Sequence, residues 1–333
     1  MNSSNSIITL IVCLFLSLGA QAQTLKLATI APEGSSWMKD MRAGSAEIEQ
    51  RTGGRVKFKF YGGGVQGNDK QVQRKMRTGQ LHGGAFTSGG MNRFQGDSDI
   101  YALALLFNNI EEVNYVRARL DAVLRQRLED AGYVNFGFAG AGFAYMMSDK
   151  PLKTRQDFNG QKVWTPEGDE ASYAALQALG VAPVTMPVTD VLTGLETDLL
   201  NSVTVPPVGA VVLQWHTRLK YITDLPIAYV YAALLIDKKA FNRISQDDQQ
   251  VVREVFEKTY AKFNREGPAD NAQALEALQE SGLTRVTPDE TEVNSWRTIV
   301  MQSHRKLAQQ GSFDGSMLSE IQQLLDEYRA QQR

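Results

Sequence analysis

From residue 25 onward, short apolar runs alternate with helical repeats, a pattern that leaves few folds besides a sheet covered by helices. Leu25 to Ile30 reads as a strand. Ala31-Pro32-Glu33-Gly34-Ser35 breaks it before a helix with Trp37, Met41, Gly44 and Ile48 on one face, stopped at Gly53-Gly54. Val56, Phe58 and Phe60 then alternate with lysines, the period-two pattern of a half-buried strand, which Gly62-Gly63-Gly64 ends. A helix from about Asn68 to Arg77 buries Val72 and Met76 and leads to a small-residue strand at His82 to Ser88. Val113, Val116, Leu120, Leu124 and Leu128 keep helical spacing, and Tyr133 to Ala139 reads as another strand.

From Gly140 the chain is glycine-rich and apolar through Met147, then turns at Asp149-Lys150-Pro151, which suits a crossing between two lobes. A second αβ series follows: a strand at Lys162 to Thr165, a helix from Asp169 to Leu179, a helix with Val191, Leu192, Leu195 and Leu199, and a strand at Asn201 to Val205. Tyr229 to Ile236 is expected to cross back. The rest reads as helix, starting near Ser245 and burying Val252, Val255, Phe256 and Phe263, with Pro268 expected to kink or interrupt it. Two further helices carry Val293, Trp296, Val300 and Leu307, then Leu318, Ile321, Leu325 and Tyr328. The expected division is an export segment at 1–22, one lobe from 23–141 plus 230–269, and a second from 142–229 plus 270–333.

The first 22 residues hold no charged side chain, run apolar from Ile7 to Ala20 and finish Ala20-Gln21-Ala22. They read as a secretory signal cleaved after Ala22, with an uncleaved anchor as the alternative. The single cysteine, Cys13, lies inside that run, so the exported chain is expected to form no disulfide and carry no lipid anchor. Lysines and arginines number 35 against 37 acids and are scattered among them, which leaves no basic patch for nucleic acid.

Motifs for catalysis are weak. Gly62-x-Gly64-x-x-Gly67 fits the dinucleotide fingerprint in letters, but the strand before it is amphipathic and export removes the chain from nicotinamide pools, so a loop facing a cleft is expected. His82-Gly83-Gly84 lacks a matching Gly-x-Ser-x-Gly elbow, because Phe86 takes the first glycine's place in Phe86-Thr87-Ser88-Gly89-Gly90. His82, His216 and His304 are too far apart in the chain for a metal-ligand motif. Asp97 with Asp99, and Asp247 with Asp248, read as solvated loop or helix-start acids. No catalytic residue, metal or cofactor is expected.

Several segments carry a resemblance: Leu27-Ala28-Thr29-Ile30-Ala31-Pro32-Glu33-Gly34-Ser35, Thr52-Gly53-Gly54-Arg55-Val56 and Arg77-Thr78-Gly79-Gln80-Leu81 in the first part. In the second, Ser148-Asp149-Lys150-Pro151 leads through Asp157-Phe158-Asn159-Gly160-Gln161-Lys162-Val163 to Leu179-Gly180-Val181-Ala182-Pro183-Val184-Thr185-Met186-Pro187. In this order and spacing the chain resembles the DctP-like solute receptors of tripartite ATP-independent periplasmic (TRAP) transporters, from about Leu25 to Leu325. The resemblance implies a two-lobed α/β periplasmic binding protein fold with crossing strands and a long helix spanning the lobes. It also implies hinge closure on a small organic solute, delivery to small and large membrane permease subunits, a periplasmic monomer and no enzymatic activity.

The departures are informative. In such receptors an arginine that grips the ligand carboxylate usually follows the Asp-x-x-Gly turn, and Trp164 stands there. A second arginine position falls on Phe143 and a polar position on Val205, with Asn201 and Ser202 before it. Losing a bidentate guanidinium partner costs about 2 to 5 kcal/mol, so a small dicarboxylate is disfavoured and an apolar or aromatic ligand is expected. Glu167 and Asp169 leave a cationic ligand open, and Arg74 or Arg93 leaves an acidic one open. Glu33, Trp37, Asn68, Asp69 and Ser88, at strand-to-helix connections, complete the candidate site with Trp164, Phe143 and Val205. An exported sensor of the same fold and a secreted hydrolase are the alternatives.

Overall fold

A computed structural model of the chain describes residues 22–332; Cys13, Ala20 and Gln21 of the export segment lie outside the described residues. The first half alternates strand and helix: β1 (Gln23–Ala28), α1 (Ser36–Arg51), β2 (Val56–Tyr61), α2 (Asp69–Arg77), β3 (Gly83–Thr87), the single turn α3 (Ser88–Met91), α4 (Ile110–Asp130) and β4 (Tyr133–Val134), the last only two residues long where Tyr133 to Ala139 reads as strand in the sequence. β5 (Ala139–Ser148) leads into the second half, with β6 (Val163–Pro166), α5 (Glu170–Ala178), β7 (Pro183–Met186), α6 (Val191–Glu196), β8 (Ser202–Val205), α7 (Pro207–Val212) and β9 (Tyr221–Thr223). β10 (Ala228–Asp237) returns, followed by α8 (Lys238–Phe241), α9 (Gln246–Glu280), β11 (Thr284–Val286), α10 (Glu290–Gln309) and α11 (Gly315–Gln331).

Local chemistry sets the helix starts. Ser35 accepts from the Met38 amide to begin α1, Asn68 and Gln71 form a reciprocal capping box on α2, and Ser245 accepts from Asp248 to begin α9. Apolar residues at helical spacing then bury one face, as with Val113, Val116, Leu120, Leu124 and Leu128 of α4.

Strand order β2-β1-β3-β10-β5-β8-β6-β7 joins two half-sheets through the antiparallel pair β5 and β10. β5 pairs with β10 through its first half, Ala139 to Ala144, and with β8 through its second, Tyr145 to Ser148. β10 in turn pairs with β3 from Ala232 to Ile236, so both strands cross between the lobes. The 35-residue α9 packs on α1, on β5 and on α7, which makes it the helix spanning both lobes.

Some expectations change. Pro268 does not interrupt α9; side chains on either side of it are tied to the crossing strand region, Asn264 Nδ2 donating to Phe138 O (2.9 Å) and Asn271 Nδ2 to Ala141 O (2.8 Å). Leu199 lies beyond the end of α6 and is exposed. Within residues 270–333, α10 packs on α5 of the second half and against α11, and Leu318, Ile321 and Leu325 of α11 share a core with Leu120 and Leu124 of α4. Asp97 and Asp99 are buried rather than solvated, Asp97 paired with Arg127 and accepting from the Asp314 amide, Asp99 accepting from Asn92. Burial, with Asp169 nearby, pushes the Asp99 carboxyl up to about 7.

β3 lies so close to β10 that a methyl group at Gly83 would sit 2.4 Å from the Leu235 carbonyl oxygen and 2.8 Å from Leu27. The Leu235 carbonyl is backbone of the sheet and cannot yield without opening it. Gly83→Ala is expected to lower stability by about 2 to 3 kcal/mol, read as a fall in the thermal unfolding midpoint; an unchanged midpoint would show that the strands can separate at little cost.

Candidate functional site

A cavity of about 250 Å³ lies between the half-sheets. Its floor is the crossing pair, where Ala141, Ala144 and Met146 of β5 and Ala228 and Val230 of β10 present one face. Alternation along a strand sends the neighbouring residues to the other side, and on the cavity side the side chains are mostly small, which leaves the space. Trp164 from β6, Val205 from β8 and Trp215 form a wall from the second half, and Phe158 with Trp296 forms another, edge to face at 5.6 Å. Ile30 and Ser88 come from the first half.

Most polar atoms around this space are already bonded within the protein. Trp164 meets Trp215 edge to face at 5.1 Å and donates its indole N–H to Met186 O at 2.9 Å. Thr223 donates to Leu152 O at 3.0 Å, and Thr204 to the Met146 sulfur at 3.6 Å. Asp169 caps α5 by accepting from the Ser172 amide at 2.9 Å, and burial holds its carboxyl above the usual carboxylate range. No lysine or arginine lines the cavity among the described residues. Among the described residues, the hydroxyls of Thr87 and Ser88 line the cavity without a bond inside the protein, and the buried indole N–H of Trp296 also has no partner.

Of the residues singled out in the sequence, Trp164, Val205 and Ser88 line this one cavity. Phe143 does not: it faces the opposite side of the crossing pair, against Tyr229 at 5.7 Å, beside Arg117 and under α9. Period-two alternation puts it opposite Ala144, and that is the reason. Trp37 lines an adjoining chamber, stacked on Phe263 at 6.1 Å. Glu33 points outward to Arg42, 2.6 Å away. Arg74 lies on an outer groove with Gln66 and Gln71, remote from the cavity lining. Trp215, Trp296 and Phe158 were not among the candidates; Trp296 reads in sequence as an ordinary core position of an amphipathic helix, and nothing local marks its cavity-facing role.

Asn68 and Asp69 belong to a polar rim where the two halves meet. Asn68 Nδ2 reaches Glu167 Oε2 at 3.4 Å, and Arg93 donates to the Glu167 backbone oxygen at 3.2 Å. Gly89 of the first half lies against Asp169 of the second, with room for no more than a methyl contact at 3.3 Å. Thus Arg93 and Glu167 serve this junction and not the cavity interior. The glycine loop before α2 is committed as well, Gly63 donating to Ala31 O and Gly64 to Thr29 O, which leaves those amides no phosphate to hold. Each histidine is bonded to backbone: His82 accepts from Lys26 N, and His216 and His304 pair with the carbonyls of Ala210 and Ala104.

Burial raises the Asp69 carboxyl to about 6, opposed by Arg93 and assisted by Glu167. Because the folded value lies above the unfolded one, the folded state binds this proton more tightly, and the contribution to stability falls as pH rises from about 4 to about 6. Asp69→Asn should flatten that part of the pH dependence by up to about 3 kcal/mol. Unfolding midpoints taken across this range test it; an unaltered slope would mean that Asp69 is not the group titrating.

The chain matches the family model for bacterial extracellular solute-binding protein, family 7 (DctP), over residues 27–310. The uncharacterised protein YiiZ of Salmonella typhimurium is 22% identical over 209 residues, 62% of this chain and 64% of that protein. The C4-dicarboxylate-binding periplasmic protein DctP of Rhodobacter capsulatus is 22% identical over 217 residues, 64% of this chain and 64% of that protein. The chain therefore spans a little under two thirds of the length of these curated relatives. Among solved structures, a TRAP periplasmic solute-binding protein from Haemophilus influenzae with bound L-gulonate superposes with a TM-score of 0.83 at 18% identity, covering 91% of this chain and 99% of that one. A second, from Sulfurospirillum deleyianum with bound succinate, gives 0.82 at 14% identity over the same 91% and 99%. Their fold is the two-lobed arrangement built here on β5, β10 and α9. Matched over most of its length, the chain belongs to the family 7 bacterial extracellular solute-binding proteins, the DctP family.

Proposed function

We propose that the protein is the periplasmic solute receptor of a TRAP transporter, and that it captures an apolar or aromatic organic solute between its lobes for delivery to small and large permease subunits. It acts as a monomer after cleavage behind Ala22, and it binds its solute without transforming it. The lobes are 23–141 plus 230–269 and 142–229 plus 270–333, with α11 leaning back on α4.

One observation carries the choice of ligand: the cavity is walled by Trp164, Val205, Trp215 and Trp296, and no cationic side chain lines it among the described residues. The solved relatives hold L-gulonate and succinate, both acids. An acid placed in this cavity would lose its hydration with no guanidinium to replace it, and would approach the buried Asp169. An apolar solute meets neither cost and removes more surface from water, worth about 25 cal/mol per Å². Thr87 and Ser88 supply hydrogen bonds for a single hydroxyl or carbonyl.

Native mass spectrometry of the purified protein should detect a retained neutral or cationic apolar molecule. Titration with the fluorescent apolar probe N-phenylnaphthylamine should give saturable binding, weakened by roughly 1 to 3 kcal/mol in Trp164→Ala at a temperature where circular dichroism shows the variant folded. Tight calorimetric binding of succinate or gulonate by the wild type would overturn the ligand class.

A further inference from the structure

A second chamber, of about 280 Å³, adjoins the first on the side toward α9. Six residues, Ile30, Thr87, Ala141, Val208, Gly209 and Leu213, line both chambers, so the partition between them is a single layer of side chains. Three of the six are alanine, glycine and threonine, and only Ile30, Val208 and Leu213 bring apolar bulk to this waist.

The outer chamber shares the chemistry of the inner one. Trp37 lies parallel to Phe263, at 19° between ring planes, and meets Phe60 edge to face at 6.4 Å. Its interior polar groups are occupied: Asp40 by Lys262 at 2.7 Å, Thr29 by the Ala31 amide at 3.1 Å, and Asn271 by Ala141 O, Gly267 O and the Val208 amide. Glu266 and Asp270 are exposed on its rim, and among the described residues no lysine or arginine lines it. Val212, at the end of α7, is 40% exposed with its side chain on this chamber, an apolar surface facing water until something covers it.

We infer that the two chambers are one elongated binding site, and that the solute is a long, narrow apolar chain without a carboxylate, which fills the inner chamber and passes the waist to end against Trp37 and Val212. The inference rests on the apolar reading of the inner cavity and extends it to molecular length. Thr87, lining both chambers, is placed to bond a hydroxyl at the waist. The bulk of Ile30, Val208 and Leu213 then selects for width, because only a narrow segment passes between them.

A series of n-alkanols from hexanol to hexadecanol, competing against N-phenylnaphthylamine on the full mature chain, tests this. Affinity should keep rising by up to about fourfold per methylene beyond the length that fills the inner chamber. Val212→Glu alters an exposed position and puts a charge in the outer chamber; it should weaken dodecanol at least about tenfold, while hexanol, held within the inner chamber, is unaffected. Trp37→Ala should act in the same direction on dodecanol alone. Affinity that levels off at short chains, with dodecanol indifferent to Val212→Glu, would overturn the two-chamber site and leave the apolar inner cavity standing. Absence of binding by the probe and every alkanol would overturn both.

Discussion

The antiparallel pairing of β5 with β10 is the contact on which the molecule depends. It runs from Ala228 opposite Ala144 to Ala232 opposite Ala139, with a bulge between Val230 and Tyr231. Each strand leaves the pair to join a different half-sheet, so the pair is at once the joint between the lobes and the floor of the cleft. Its two faces differ for that reason. One carries Ala141, Ala144, Met146, Ala228 and Val230 toward the cavity; the other carries Phe143, Tyr145 and Tyr229 beneath α9. The large face is clamped by the buried Arg117, which bonds the Tyr229 hydroxyl at 3.0 Å, Phe138 O at 2.7 Å and Asp121 at 2.9 Å. A buried guanidinium with that many partners resists sliding of the strands, since any shift strands a charge out of water.

Given that floor, affinity and closure fall to different parts of the molecule. Inside, the indole of Trp164 spends its only donor on Met186 O and turns an apolar face inward. At the rim, Asn68, Arg93, Glu167 and the Gly89–Asp169 contact join the lobes through polar groups that solvent can reach when they part. Such bonds exchange with water at little net free energy, so they align the two halves while contributing little to stability.

Much of this arrangement is legible in the sequence. Strand, glycine break and amphipathic helix recur with enough regularity that β1, α1, β2, α2, β3, α4, α5 and β10 can be placed from periodicity, β6 and β8 from the turns and helices beside them, and the glycine-rich run at Gly140 marks the crossing. β7, β9 and β11, with three or four residues each, are too short to show a period. α7 is hidden for another reason: Pro206-Pro207-Val208-Gly209-Ala210 has the composition of a turn, yet Pro207 at the first helical position suits a helix start, and packing against α9 holds the short helix in place. That segment supplies Val208 and Gly209 to the waist between the chambers, so the part of the site with least sequence signal has a large share in its shape.

Phe143 shows where letter-by-letter transfer from a family pattern fails. The resemblance implies a ligand-contacting arginine at its position, but Phe143 meets Tyr229 edge to face on the side away from the cavity. An arginine is long enough to carry its charge around a strand edge toward a ligand, whereas a phenyl ring settles where it buries most area. The aromatic side chain at this position therefore serves the side of the sheet away from the cavity. At Trp164 the side chain stays on the cavity side because Trp215 and the Met186 carbonyl receive it there. The two positions thus serve different ends: Trp164 is a wall of the cavity, and Phe143 packs the joint between the half-sheets.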